Sequence, residues 1–325
     1  MDTTIRIDDF EPLRENPARR HTAMIYSELD ILPFIENDNV IEVMLNPDRS
    51  LWVEEFGKPM YEAARIEPND AAAIMNTIAH FHDTILDREH PVLECELPVD
   101  GSRFEGIVPP LAANPSFTIR KKATRVFLLE EYLRLGILTQ AQYDALLGAV
   151  ACRKNILIVG GTGSGKTTLA NAIISAMVSH NDGDRFLILE DTNEIQCQAK
   201  NHVIMRTSER AGIGMRQLLR ITLRYRPDRV LIGEVRGGEA LDLLKAWNTG
   251  HPGGLCTIHA DSAALALERL EQCVEEVSVN VNRKMIASTI HCVVFIRKTP
   301  QGRRIEEVLN VTGYENGQYQ FQQVA

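Results

Sequence analysis

Gly160-Gly161-Thr162-Gly163-Ser164-Gly165-Lys166-Thr167 fills every fixed position of the phosphate-loop pattern G-x-x-x-x-G-K-[ST]. Glycines let successive backbone N–H groups turn inward as an anion-binding nest, and they accept the positive φ angles that such a turn requires. In that pattern Lys166 reaches the β- and γ-phosphates and the Thr167 hydroxyl ligates Mg²⁺. The surroundings agree. Asn155-Ile-Leu-Ile-Val159 before the loop is a short apolar run ended by glycine, as expected of a buried strand. After the loop, Leu169, Ala172, Ile173 and Ala176 recur at helical spacing. A helix starting there points its positive N-terminal end at the same phosphates. The expected ligand set is therefore ATP with Mg²⁺, held by Gly160, Gly161, Thr162, Gly163, Ser164, Gly165, Lys166, Thr167 and Thr168.

A phosphate loop alone does not say what hydrolysis is used for, and three segments downstream sharpen it. Phe186-Leu-Ile-Leu-Glu190 is an apolar run ending in an acid, followed by Asp191 and Glu194. Ligands of open α/β sheets sit at the carboxyl ends of strands. Glu190 is thus placed to polarise an attacking water or to reach the metal, with Asp191 or Glu194 supporting Mg²⁺ or the loop. Arg229-Val-Leu-Ile-Gly-Glu234-Val-Arg236 is a second apolar run whose terminal acid, Glu234, takes the place from which Mg²⁺ is held through water. Gly250-His251-Pro-Gly-Gly254 precedes Leu-Cys-Thr-Ile and then His259, and an imidazole there can sense the γ-phosphate. His251 is the weaker candidate, and Ser262 is a good helix N-cap.

The 325 residues suggest two domains. A short polar arm, 1–20, precedes a small α+β domain, 21–120. In it Val40–Leu45 and Leu51–Glu54 read as a hairpin. Asn69 or Asp70 opens a helix, Cys95–Val99 and Arg103–Ile107 form a second hairpin, and Ser116–Arg120 is a further strand. Residues 121–137 read as a linker. The remainder, 138–325, opens on a Thr139/Gln142 capping box and alternates strands (155–159, 186–190, 203–206, 230–233, 255–258) with helices, the α/β pattern. It closes on a hairpin across Asn316-Gly317. No run of 18 apolar residues exists, and the first ten residues lack the apolar stretch of a signal peptide. The six cysteines are scattered, with no C-x-x-C pair, so no zinc site is expected and a reducing cytoplasm is the expected setting. A net charge of −9 argues against a nucleic-acid coat. No guanine-reading Asn-Lys-x-Asp element is present, which disfavours a GTPase switch. The acidic balance also weakens a DNA-dependent helicase or translocase.

Loop, Leu189-Glu190-Asp191-Thr192, Val230–Arg236 and Thr249–Ala260 together, in this order and spacing, resemble the four signatures of the secretion (traffic) ATPase superfamily of type II and type IV secretion and pilus machines. Val40–Glu54, Leu97–Glu105 and Phe117–Lys121 resemble its N-terminal domain. The resemblance implies a RecA-like P-loop ATPase domain preceded by a smaller PAS-like α+β domain. It also implies a homo-hexamer acting with inner-membrane components, cytoplasmic and peripheral at the inner face of the membrane. No sequence-specific nucleic-acid binding is expected. Without a four-cysteine insertion, the compact form is most similar to TrbB-type conjugative-transfer ATPases, with pilus-retraction ATPases as the alternative. In relatives, arginines matching Arg103 and Arg120 touch nucleotide phosphates across the interdomain cleft. Arg224 and Arg226 are further candidates for stabilising transition-state charge.

Overall fold

The computed structural model describes residues 31–55, 59–98, 100–122, 126–208, 211–299 and 302–324. The chain divides into two units, Met1–Thr124 and Arg125–Ala325, and the expected N-terminal arm lies outside the described residues.

Alternation of apolar and polar side chains builds the first unit. Strands β1 (Val40–Leu45), β2 (Ser50–Glu55), β3 (Tyr61–Arg65), β4 (Val92–Glu96), β5 (Arg103–Ile107) and β6 (Ser116–Arg120) form one antiparallel sheet in the order β3-β2-β1-β6-β5-β4. A short helix α1 (Leu32–Glu36) precedes it. Helix α2 (Pro68–Phe81) buries Ala71, Ile74, Met75, Ile78 and Ala79, the i, i+3, i+4, i+7 stripe of an amphipathic helix. Gly106 in β5 is the seat of this helix, since a Cβ there would come within 2.5 Å of Met75 Cε. The helix begins differently from expectation. Glu67 is the N-cap and Pro68 the first residue, because the fixed φ of proline suits the first turn, so neither Asn69 nor Asp70 caps it.

The second unit is a three-layer α/β/α sandwich. Its sheet runs β14-β13-β12-β7-β11-β10-β8-β9, where β7 is Ile156–Val159, β8 Phe186–Glu190, β9 His202–Arg206, β10 Arg229–Val235, β11 Leu255–Ile258, β12 Cys292–Thr299, β13 Gly302–Glu315 and β14 Gln318–Gln323. The pairs from β12 through β9 are parallel, and the closing β12-β13-β14 meander is antiparallel. Strand β12 is one the sequence reading leaves unassigned. It extends the parallel sheet past the phosphate-loop strand and carries the final hairpin.

Successive side chains of the central strands bury on opposite faces. Leu157, Val159 and Ile232 pack with helices α6 (Met215–Thr222), α7 (Glu239–Asn248) and α8 (Leu265–Glu275). Ile156, Ile158 and Leu231 pack with α3 (Leu129–Arg134), α4 (Gln140–Ala151) and α5 (Lys166–His180). Helix α3 lies within the stretch expected as linker, yet its Leu129 and Tyr132 are buried in this second core. The Thr139/Gln142 capping box opens α4 as expected. On α6, Met215, Leu218 and Leu219 are buried with Thr222, while Leu223, its C-cap residue, is exposed. Ser262 accepts the N–H of Leu265 at 3.2 Å, although the N-cap residue of α8 is Ala264.

Asn155 underlies the centre of this sheet. Its Oδ1 accepts from the N–H groups of Gly253 (2.9 Å) and Gly254 (3.0 Å), ahead of β11, and its Nδ2 donates to Thr289 O (2.8 Å) at the end of α9 (Arg283–Thr289). The side chain is 1% exposed, so every polar atom needs such a partner. Nearby, Arg229, fully buried, donates from Nε to Asp184 Oδ2 at 2.7 Å and from Nη1 to Gly253 O. Arg153 pairs with the other oxygen of Asp184.

Candidate active site

The phosphate loop leaves β7 between β11 and β12, at the carboxyl ends of the parallel strands. Gly163 and Gly165 hold φ of +68° and +97°, where a side chain is strained. Gly160 is demanded by space, because a Cβ would sit 2.3 Å from Ile296 O and 2.5 Å from Ser164 Oγ. Ser164 Oγ is buried without a hydrogen-bond partner, an orphan polar atom inside the loop that calls for a ligand. Helix α5 starts at Lys166 directly behind it. Lys166, 8% exposed, donates from Nζ to Gly160 O and Gly161 O, both at 2.9 Å. Loop amides, helix N-terminus and lysine make a cradle that fits a polyphosphate.

His259 and Glu234 line up on this lysine. Lys166 Nζ stands 3.3 Å from both ring nitrogens of His259, and His259 Nε2 stands 2.7 Å from Glu234 Oε1. Burial first, then the charge of Lys166, push the His259 pKa below 6.5, against the pull of Glu234. A neutral ring satisfies this geometry, donating Nε2–H to the carboxylate and accepting from the ammonium at Nδ1. Arg236 continues the chain, pairing with Glu234 through Nε and with Asp191 at 3.7 Å through Nη1. Thr207 Oγ1 donates to Asp191 Oδ1 at 3.0 Å.

Glu190 stands at the end of β8, as expected, and is enclosed there. It is 2% exposed, and its Oε2 accepts from the N–H groups of Glu194 (3.0 Å) and Ile195 (2.9 Å). Its Oε1 lies 3.5 Å from Arg206 Nε. Burial raises its pKa, opposed by those two amides and Arg206. Glu190 therefore folds the 191–195 turn back on itself, and that turn delivers Glu194 to the loop, where Thr167 Oγ1 donates to Glu194 Oε2 at 3.0 Å. Gly233 leaves the room for this, because a Cβ there would be 3.2 Å from Glu190 Cβ.

The arginines divide. Arg103 and Arg120 stand directly opposite each other across β5 and β6, beside Glu94 (3.2 Å) and Glu42 (3.9 Å) respectively. Arg224 and Arg226 precede β10 and lie at the amino ends of the parallel strands, both exposed. They are separated from Glu234 by the length of a strand, about 20 Å, so the structure does not bring them to the loop of the same chain. His251 is at that same end, its Nδ1 3.1 Å from Pro227 O. Arg206 and Arg236 are partners that the sequence reading leaves without a role. The signal available was the same as for Glu190 and Glu234, a charged residue closing an apolar strand.

Comparison with known proteins places the chain in context. Residues 40–319 match the family model described as type II/IV secretion system protein. The chain is 46% identical over 314 residues to the probable conjugal transfer protein TrbB of Sinorhizobium fredii, covering 96% of this chain and 95% of that protein. It is 45% identical to the conjugal transfer protein TrbB of Rhizobium radiobacter, over 90% of each. Among solved structures, the Legionella pneumophila ATPase DotB superposes with a TM-score of 0.63 at 21% identity, covering 85% of this chain and 78% of that one, a likeness of fold.

Proposed function

Because the chain belongs to the type II/IV secretion system protein family, we propose that it is the ATP-hydrolysing motor of a type IV secretion or conjugative-transfer machine, working as a homo-hexameric ring. The observation that carries the reading is the joined set Lys166–His259–Glu234 at the carboxyl ends of three adjacent strands. Its conjugative side is supported by 45–46% identity to TrbB proteins over nine-tenths or more of the chain.

The backbone of residues 160–168 and Lys166 would hold the ATP phosphates, and the Thr167 hydroxyl with Glu194 and Glu234 would hold Mg²⁺. When bound, the metal supplies charge neutralisation on the phosphates. Glu234 is the acid that faces Lys166 through a histidine, so it orients the attacking water and takes its proton. Glu190, expected in that role, instead secures the turn that presents Glu194 and tunes the site through it. Neutral His259 holds Lys166 and Glu234 in register. A phosphate competing for Lys166 therefore frees His259 and reaches β11 through it.

Arg103 and Arg120, paired across β5 and β6, would supply positive charge to nucleotide phosphates. Arg224 and Arg226 would serve a neighbouring subunit in the ring. No helix among the described residues is long and apolar enough to cross a membrane, and the protein would work at the inner face of the membrane through the machine's membrane-bound components. Mg²⁺-dependent phosphate release by the purified chain, with light scattering in the presence and absence of nucleotide, tests the reading. A strictly monomeric chain without ATPase activity overturns it.

A further inference from the structure

Resting on that reading, we propose that Arg303 is a nucleotide-binding residue that grips the diphosphate from the flank of the loop opposite His259. Arg303 is the second residue of β13, directly after Gly302, whose carbonyl accepts from Thr299 Oγ1 at 2.8 Å. It shares a strand face with Ile305, which is buried in the core layer that also contains the α5 residue Leu169. Its side chain lies along the loop. A Cβ on Gly165 would come within 2.9 Å of Arg303 Cδ and 3.1 Å of its Nε, and Nη2 donates to Gly163 O at 3.4 Å.

The placement is electrostatically odd for a structural residue. A guanidinium beside the first turn of the 15-residue helix α5 faces the positive end of a helix dipole, which disfavours cations. Lys166 adds a second positive charge in the same loop. A guanidinium suits phosphate oxygens because its donors form a planar fork, and an anion in the loop would be shared by both cations. Geometry assigns which phosphates. Lys166 faces His259 and Glu234, the end where hydrolysis would occur, whereas Arg303 lies over Gly163–Gly165, on the β12–β13 side. Arg303 thus contacts the part common to ATP and ADP.

Arg303→Gln keeps much of the aliphatic stem against Gly165 and removes the charge, and Arg303→Lys keeps a charge without the fork. Titration of fluorescent ADP and ATP analogues into the full chain with Mg²⁺ reads the effect without turnover, and a thermal melt without nucleotide confirms that each variant is folded. Arg303→Gln is expected to weaken both nucleotides by the same factor, about tenfold as for a lost charged hydrogen bond. Arg303→Lys should recover part of the loss, and kcat at saturating ATP should stay near wild type while KM rises. Unchanged ADP affinity in Arg303→Gln, or a loss confined to ATP or to kcat, overturns the assignment. A wild-type chain that binds neither nucleotide overturns the ATPase reading as well, so the two failures are told apart.

Discussion

His259 Nε2 lies 2.7 Å from Glu234 Oε1 while the same ring stands 3.3 Å from Lys166 Nζ, so one imidazole joins the carboxylate near the end of β10 to the lysine of the phosphate loop. Glu234→Gln is expected to lower kcat by about 10² or more, the range for loss of a positioned acid–base group, with nucleotide affinity kept. His259→Ala should lower kcat too, whereas Lys166→Ala should abolish binding. Phosphate-release kinetics paired with nucleotide titration separates these cases, and a Glu234→Gln protein turning over at the wild-type rate removes Glu234 from the chemistry.

Glu190 and Glu194 should fail in different ways. Glu190→Gln keeps one acceptor for the turn amides and is expected to cost less than tenfold in kcat, below the loss for a positioned base, with a lower melting temperature. Glu194→Gln, which alters the partner of the Thr167 hydroxyl, should raise the Mg²⁺ concentration needed for half-maximal rate. Magnesium titrations of the two variants decide this, and a larger kcat loss for Glu190→Gln than for Glu234→Gln returns the base role to Glu190.

Arg224 and Arg226 lie at the opposite end of β10 from Glu234. If they serve a neighbour, mixing an inactive Arg226→Ala chain with an inactive Lys166→Ala chain should restore part of the activity. Mixtures that remain as inactive as either parent across all ratios would rule out action between subunits.

The buried Arg229–Asp184 pair predicts a stability effect remote from the site. Asp184→Ala leaves a fully buried guanidinium without its carboxylate, and removing one partner of a buried pair costs about 3–5 kcal/mol. Urea denaturation of the variant measures the loss directly, and a change under about 1 kcal/mol would show that Gly253 O and the Phe186 ring suffice.

Stability should also carry a histidine signature. His291 Nδ1 accepts the N–H of Asn155 at 3.1 Å, and burial, then the charge of Lys154, lower its pKa from 6.5. The unfolded chain takes up the proton first, so the unfolded state binds more protons just below pH 6.5, and stability falls as pH drops through that window. Melting temperatures from pH 7.5 to 5.5 should therefore decline, with a shallower slope in His291→Gln; parallel slopes would exclude His291 as the source.

The loop, the strand-end acids and His259 were legible because each is local, a motif or a residue closing an apolar run. What lay beyond the sequence was set by neighbours in space. The position of Glu190 depends on a turn that folds back onto its own strand end. Arg206 gains its role from the register that sets it beside Glu190 across β8 and β9. Arg303 reaches the loop through a hairpin 140 residues downstream of Gly163. Helix α3 is a helix-like stretch inside the linker to the sequence reading, and its seat in the second core rests on only two buried residues, Leu129 and Tyr132, too few to mark it from sequence.

Asn155 has a mechanical consequence. One amide ties the start of the loop strand to the residues ahead of the His259 strand and to the end of α9, so β7 and β11 share an anchored root and cannot slide past each other. Any displacement of His259 relative to Lys166 must then arise as flexing of the free strand tips, a lever with a fixed fulcrum rather than a piston.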